Sequence, residues 1–232
     1  MPSWLSWQYG LQFANMAYLK WDQQKIQDFS EENLNALYEK GYLFGRIDKG
    51  VMDQTRSLRI DLWQFELSSE NRRIMKKTEG LEISNKALPY FSYDWTIGKL
   101  GKDFYDTKFG EKTFSANKIK ELLTDRAKTN FNKLLIYKAE DKTVGYAICF
   151  ETGEMLHYCY PFYDLQATIP NLGLGMMLRA ILWAKETNKR YIYLGSAQRP
   201  TDVYKLQFEG LEWFDGKEWK TNTDDLKKIL TA

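Results

Sequence analysis

Apolar positions fall into short runs separated by turn residues along most of the chain, and the runs switch between period two and the helical period. Ser30 is placed to cap a helix that runs to Lys40, with Gly41 just past its end. Tyr42 to Ile47 predicts a strand. After a turn at Lys49–Gly50, the spacing of Leu58, Ile60, Leu62 and Phe65 predicts a second strand over 57–67. Ser68 or Ser69 then caps a short basic helix over 69–79, closed by Gly80. Residues 81–98, with Pro89 and a run of aromatics, read as irregular. Residues 97–125 read as one or two helices, the second capped by Ser115. Strands are predicted over 134–139, 143–151 and 154–163, turning at Glu140–Asp141–Lys142 and at Gly153. The third is apolar on both faces, the signature of a central strand covered on both sides. A helix over 174–187, a strand over 191–195, a short helix over 201–207, a hairpin turning at Asp215–Gly216 and an amphipathic helix over 224–230 complete the pattern. Residues 1–29 are aromatic and amide-rich without clear period and read as a wrapping arm holding at most one helix.

The coarse order recurs weakly: helix, strands and basic helix, then helix, strands, helix and strand. No low-complexity linker separates the halves. The expectation is one compact unit over 1–232, with an amino-terminal lobe (1–125) carrying the basic helix 69–79 and a carboxy-terminal lobe (126–232).

Composition narrows the function classes. Of 232 residues, 44% are apolar, enough for a substantial core; aromatics reach 16%, which suits an aromatic-lined groove or an aromatic core equally. The formal net charge is +2, so contact with RNA must come from a local patch, and DNA is not expected as a partner. The two cysteines, Cys149 and Cys159, lie in apolar strand-like runs and exclude a disulfide scaffold and a cysteine-only metal site. No metal-ligand spacing, phosphate-binding lysine loop or dinucleotide fingerprint is present. His157, the only histidine, sits mid-strand, where a satisfied core residue is the expectation. No basic leader followed by an apolar run opens the chain, and no run is long enough to span a membrane; a cytoplasmic protein is expected.

The stretch from Tyr158 to Gly195 reads as strand, glycine-containing loop, helix and strand. Asn171 is a plausible N-cap, Leu172 opens the helix, and Gly173 and Gly175 let backbone come close to a ligand. Unpaired N–H groups at such a helix start attract phosphate. This arrangement resembles the way GNAT acyltransferases hold the pyrophosphate of acyl-CoA, although Pro170 stands where their pattern has Arg or Gln. The alternative is a helix packed so tightly on its neighbours that it needs glycine for clearance.

A longer resemblance covers roughly residues 155–214. Phe162–Tyr163–Asp164, Leu172–Gly173, Tyr193–Leu194–Gly195, then Tyr204–Lys205 and Phe208 follow the order and spacing of the arginyl-tRNA–protein transferase family and its bacterial leucyl-transferring relatives. Asn71–Arg72–Arg73–Ile74–Met75–Lys76–Lys77 is similar to a basic segment of the same family. By charge alone those four cations suit successive RNA phosphates or, equally, a solvated helix face paired with Glu70 and Glu79. The sequence departs from the family in having no cysteine before Cys149 and in the run Ser196–Ala197–Gln198–Arg199–Pro200.

The resemblance implies an α/β fold of GNAT type, a mixed sheet flanked by helices, either as one such sheet or as two degenerate GNAT lobes packed together. It implies an aminoacyltransferase that moves an amino acid from aminoacyl-tRNA to a protein or peptide amino terminus, without cofactor or metal. An acyl-CoA N-acyltransferase and a non-catalytic tRNA- or peptide-binding module are the alternatives. The implied roles are acceptor-amine binding or deprotonation for Asp164, and orientation of donor or acceptor for Tyr204 and Lys205. Asn171, Leu172, Gly173, Gly175, Tyr193 and Gly195 would bind donor, and Arg72, Arg73, Lys76 and Lys77 would contact RNA phosphates.

Overall fold

The computed structural model describes residues 18–231. Strand β1 (Asp22–Lys25), helix α1 (Glu31–Glu39), β2 (Tyr42–Phe44) and β3 (Val51–Gln54) come first, and the three strands form a small antiparallel sheet in the order β1-β3-β2. Residues 1–17 of the expected wrapping arm lie outside the described residues, and the rest of it holds β1 in place of a helix. There follow β4 (Ser57–Asp61), α2 (Ser69–Lys77), β5 (Leu81–Ala87), α3 (Trp95–Phe109), α4 (Ala116–Thr124), β6 (Lys133–Ala139), β7 (Lys142–Glu151) and β8 (Met155–Tyr163). Helix α5 (Leu172–Glu186), β9 (Tyr191–Ser196), a 3-10 helix (Pro200–Gln207), β10 (Leu211–Phe214), β11 (Trp219–Lys220) and α6 (Thr223–Thr231) complete the chain.

The helices start where short polar side chains replace the missing backbone acceptors. Ser30, Ser68 and Ser115 accept from the N–H groups of Asn33, Asn71 and Lys118, and Ser68 forms a reciprocal box with Asn71. The reading of 81–98 as irregular is corrected: its first part is β5, an edge strand in which only Leu81 and Ile83 turn towards the core and the remaining positions face solvent. A strand exposed on one side and one edge has little apolar alternation to show. β3, central in the small sheet but only four residues long with Met52 alone fully buried, also escapes the sequence pattern.

Eight strands form the main sheet in the order β11-β10-β4-β9-β8-β7-β6-β5. Every neighbouring pair is antiparallel except β8 and β9, which are parallel and joined by the crossover helix α5. Period-two alternation sends Leu135, Tyr137, Ala147, Cys149, Leu156, Tyr158, Ile192 and Leu194 to the face covered by α5, α2 and α6. Leu134, Ile136, Ile148, Phe150, Phe162 and Tyr193 go to the face covered by α1, α3, α4 and the small sheet. Arg59 of β4 fastens the second face. Its buried guanidinium lies 4.0 Å from the ring centres of both Tyr191 and Trp219 and pairs with Glu39 of α1 and with Glu212 of β10 at 2.6 Å.

Candidate functional site

β8 pairs with β7 along its whole length, but with one residue too many. Ile148 faces Tyr160 and Cys149 faces Tyr158, which leaves Cys159 as a bulge. On its other edge β8 meets β9 only through Met155–Tyr191, Leu156–Ile192 and His157–Tyr193. Past that point β8 continues to Tyr163 and β9 to Ser196 without pairing to each other. β9 stays with β4 but carries an extra residue between the Arg59–Tyr193 and Ser57–Ser196 pairs, where Gly195 adopts φ 77°. The two bulges fall just past the last β8–β9 pair, and the unpaired stretch between the strands forms a wedge whose facing backbone groups have left the ladder. Tyr105 donates to the Pro161 carbonyl at 3.1 Å on one lip, and Lys205 donates to the Ser196 carbonyl at 3.0 Å on the other.

The 3-10 helix exists because Pro200 starts it and Asp202 caps it, the carboxylate accepting from the N–H groups of Gln198 and Arg199 at 2.9 and 3.0 Å. The same carboxylate sits 3.4 Å from Lys205. Burial pulls the Lys205 ammonium down, but Asp202 and the neighbouring Tyr204 outweigh it, so the group stays charged, above its ordinary value. Tyr204 is exposed beside it. The departure at 196–200 has a structural account: the Gln198 amide accepts from Leu19 N–H at 2.8 Å and donates to Thr55 at 2.7 Å, tying residues 19 and 55 to the exit of β9. His157, under the wedge, is a core residue as expected. It bonds the Tyr38 hydroxyl at 2.9 Å, and burial, helped by the Lys205 charge, holds its pKa down to about 3.

At the start of α5, Asn171 occupies the N-cap position in the left-handed region (φ 61°), and its side chain makes no capping bond. The expected capping bond is thus corrected: Asn171 holds the N-cap position with left-handed backbone, and its side chain caps nothing. The expectation that Gly173 and Gly175 clear space for a ligand is corrected as well. A Cβ at Gly173 would lie 2.9 Å from the Tyr163 ring, and one at Gly175 would lie 2.6 Å from the Thr78 methyl. Both glycines make room for side chains. The second contact matters for position, because Thr78 ends α2, and Arg179 of α5 donates to the Thr78 and Glu79 carbonyls at 2.9 and 3.1 Å. The basic helix is thereby docked at the beginning of α5. Arg72, Arg73, Lys76 and Lys77 are all exposed. Arg72 donates to the Leu67 carbonyl, Arg73 forms a two-pronged pair with Glu70, and among the described residues Lys76 and Lys77 meet no carboxylate.

The remaining sequence-predicted residues are dispersed. Asp164 closes the turn after β8, accepting from Gln166 N–H at 2.9 Å with Lys142 at 3.6 Å, and no contact joins it to Lys205. The Tyr193 side chain is buried against Tyr38, Trp219 and Arg59, so its phenol belongs to the core. Leu172 is buried in the α5 face. Burial pushes both cysteine thiols up, though Cys159 is only half-buried at its bulge, and among the described residues no group of His, Cys, Asp or Glu could hold a metal ion. The sequence reading missed Asp202 and the Cys159 bulge. Asp202 is signalled by its spacing after Pro200 and before Lys205; a bulge leaves no mark when all its residues are apolar or aromatic.

A mixed sheet whose one parallel pair parts beside the crossover helix is the fold of GNAT-type acyltransferases. In agreement, the solved structure of FemX superposes with a TM-score of 0.51 at 10% identity, covering 87% of this chain and 71% of that one. Residues 96–215 match the family described as arginine-tRNA-protein transferase, C terminus, and the chain belongs to that family. Among curated relatives it is similar to the aspartate/glutamate leucyltransferase of Xanthomonas euvesicatoria pv. vesicatoria (strain 85-10). The two share 31% identity over 81 residues, 34% of this chain and 32% of the relative. The enzyme of the same description from Stenotrophomonas maltophilia (strain K279a) is 32% identical over 85 residues, 36% of this chain and 34% of the relative. The chain thus matches about a third of the length of these relatives.

Proposed function

We propose that this protein transfers an amino acid from aminoacyl-tRNA to the α-amine of a protein or peptide, with leucine as donor and an acidic first residue as acceptor, the pairing for which its relatives are named. The observation that carries the reading is the parting of β8 and β9 beside a basic helix docked at the start of α5. The exposed cations of α2 and the uncapped amino end of α5 grip phosphates near the RNA 3′ end. The esterified amino acid then enters the wedge.

The donor ester is already activated, so placement supplies most of the acceleration. The acceptor nitrogen attacks the ester carbonyl and forms the C–N bond. The tetrahedral oxyanion is met by N–H groups of β8 beyond His157. The C–O bond to the ribose then breaks, and the proton lost by nitrogen passes to the departing ribose oxygen. An α-amine has a reference pKa of about 8, so a neutral fraction is present at pH 7 and a weak base suffices. In this reading Tyr204 and Lys205 orient the donor's terminal nucleotide and Asp164 faces the acceptor. No cofactor is required, and the cytoplasm, where aminoacyl-tRNA is made, is the setting. No helix among the described residues is long and apolar enough to cross a membrane.

The test is transfer of labelled amino acid from leucyl-, arginyl- or phenylalanyl-tRNA to peptides of varied first residue. Lys205→Met should lower kcat at least about tenfold, a larger effect than its loss of RNA affinity, most of which rests on the α2 cations. Absence of transfer with every donor, together with a melting shift on coenzyme A and none on aminoacyl-tRNA, overturns the reading in favour of acyl-CoA chemistry.

A further inference from the structure

The α2–α5 face of the sheet carries the donor-side cations; on the opposite face, Arg46 packs against a residue of the unpaired part of β8 and has no part in the transfer scheme. Arg46 follows β2, and its guanidinium lies 4.7 Å from the Phe114 ring centre and 5.6 Å from that of Tyr160. Tyr160 is the residue immediately past the Cys159 bulge, so Arg46 stands beside the part of β8 that no longer pairs with β9. The guanidinium is half-buried, donates to the Thr113 carbonyl at 2.8 Å, and meets no carboxylate among the described residues. The buried cations nearby are matched, Arg59 by Glu39 and Glu212 and Lys205 by Asp202, while half-buried Arg56 and Arg199, which like Arg46 meet no carboxylate among the described residues, lie at the exit of β9, against the Ala197 carbonyl and the Phe109 ring.

The loop that presents Arg46 is rigid. Asn130 donates to the Gly45 and Asp48 carbonyls at 3.1 and 2.9 Å and accepts from Gly50 N–H at 2.7 Å. The nearby lysines are otherwise engaged, Lys49 with the Arg126 carbonyl and Lys118 with Glu121. A guanidinium held over rings keeps the N–H groups on its edge available, and that fork fits a carboxylate in two-pronged fashion.

We propose that Arg46 binds the side-chain carboxylate of the acceptor's first residue and sets the preference for an acidic amino terminus. This rests on the transferase reading above and assigns acceptor selection to a single side chain. The peptide approaches along the Phe114–Tyr160 side, its first carboxylate meets Arg46, and its amine points through the wedge to the ester on the α5 side. An amide in place of the carboxylate accepts only one of the two N–H prongs and leaves the cation uncompensated.

The experiment measures binding and transfer with matched peptides beginning Asp, Glu, Asn or Met, for the wild-type protein, Arg46→Lys and Arg46→Met. In wild type, the Asp peptide should bind and react at least about tenfold better than the Asn peptide. Arg46→Met should abolish that ratio mainly through KM, with aminoacyl-tRNA affinity unchanged and the protein still folded at the assay temperature; Arg46→Lys should keep part of it. An Asp-over-Asn ratio that survives Arg46→Met overturns the proposal, as does an equal loss for all four peptides. Should wild type transfer nothing, the functional reading fails separately. Arg46 is then judged by peptide binding alone, where the same ratio must be present in wild type and absent in Arg46→Met.

Discussion

At the scale of single residues, the wedge is governed by where charge is allowed to sit. Asp202 keeps Lys205 charged, and Lys205 in turn helps keep His157 neutral. The consequence for stability has a definite sign. His157 titrates near 6.5 when unfolded and at about 3 when folded, so between those values the unfolded chain binds the extra proton. Stability is unaffected by this group above pH 6.5 and falls as pH drops through the window, by up to about 1.4 kcal/mol per pH unit. Denaturant titrations from pH 7 to 4 should show wild type losing stability faster than His157→Gln, which cannot take up that proton. Parallel curves for the two would mean that His157 is not held neutral.

At the scale of elements, the contact between α2 and α5 links packing to function. Gly175→Ala places a methyl within 3.0 Å of three atoms of Thr78, whose hydroxyl is fixed on the Ile74 carbonyl. The helices must separate, at a cost of about 1–3 kcal/mol. Thermal unfolding of Gly175→Ala, Thr78→Ala and the double variant should reveal coupling, with the double less destabilised than the sum of the singles. Exposed α2 lysines make an independent prediction. Replacing both Lys76 and Lys77 by Ala should reduce the slope of log affinity against log salt for tRNA by roughly 1.5, at about 0.7–0.9 for each phosphate no longer neutralised. An unchanged slope would remove α2 from RNA binding.

The same elements show what the sequence displays and what it hides. Serine caps, glycine stops and the apolar runs in 134–163 between turn residues are local chemistry, and α1, α2, α4 and β6 to β8 are visible from them. β5 is hidden because an edge strand needs few apolar positions, and β3 because its four residues, Val51–Gln54, include only one that is fully buried. The site divides likewise. The spacing of Tyr204–Lys205 after Tyr193–Leu194–Gly195 is local and visible, whereas the bulges at Cys159 and Gly195 depend on which strands lie alongside. Gly173 and Gly175 illustrate the limit: a glycine wanted for clearance reads the same whether the visitor is a ligand or a neighbouring side chain.

At the scale of the molecule, the main sheet ignores the order of synthesis. β4, from residues 57–61, lies between β9 and β10, and β5, from 81–87, forms the far edge beside β6. A chain emerging from the ribosome therefore exposes β4 with neither neighbour until residue 191 and beyond have appeared. Nascent chains arrested before that point should be readily cleaved by protease around residues 57–61, and release past residue 214 should protect them. The strand that anchors Arg59 is thus among the first translated and the last secured, and the parting of β8 and β9 takes shape only in the closing moments of translation.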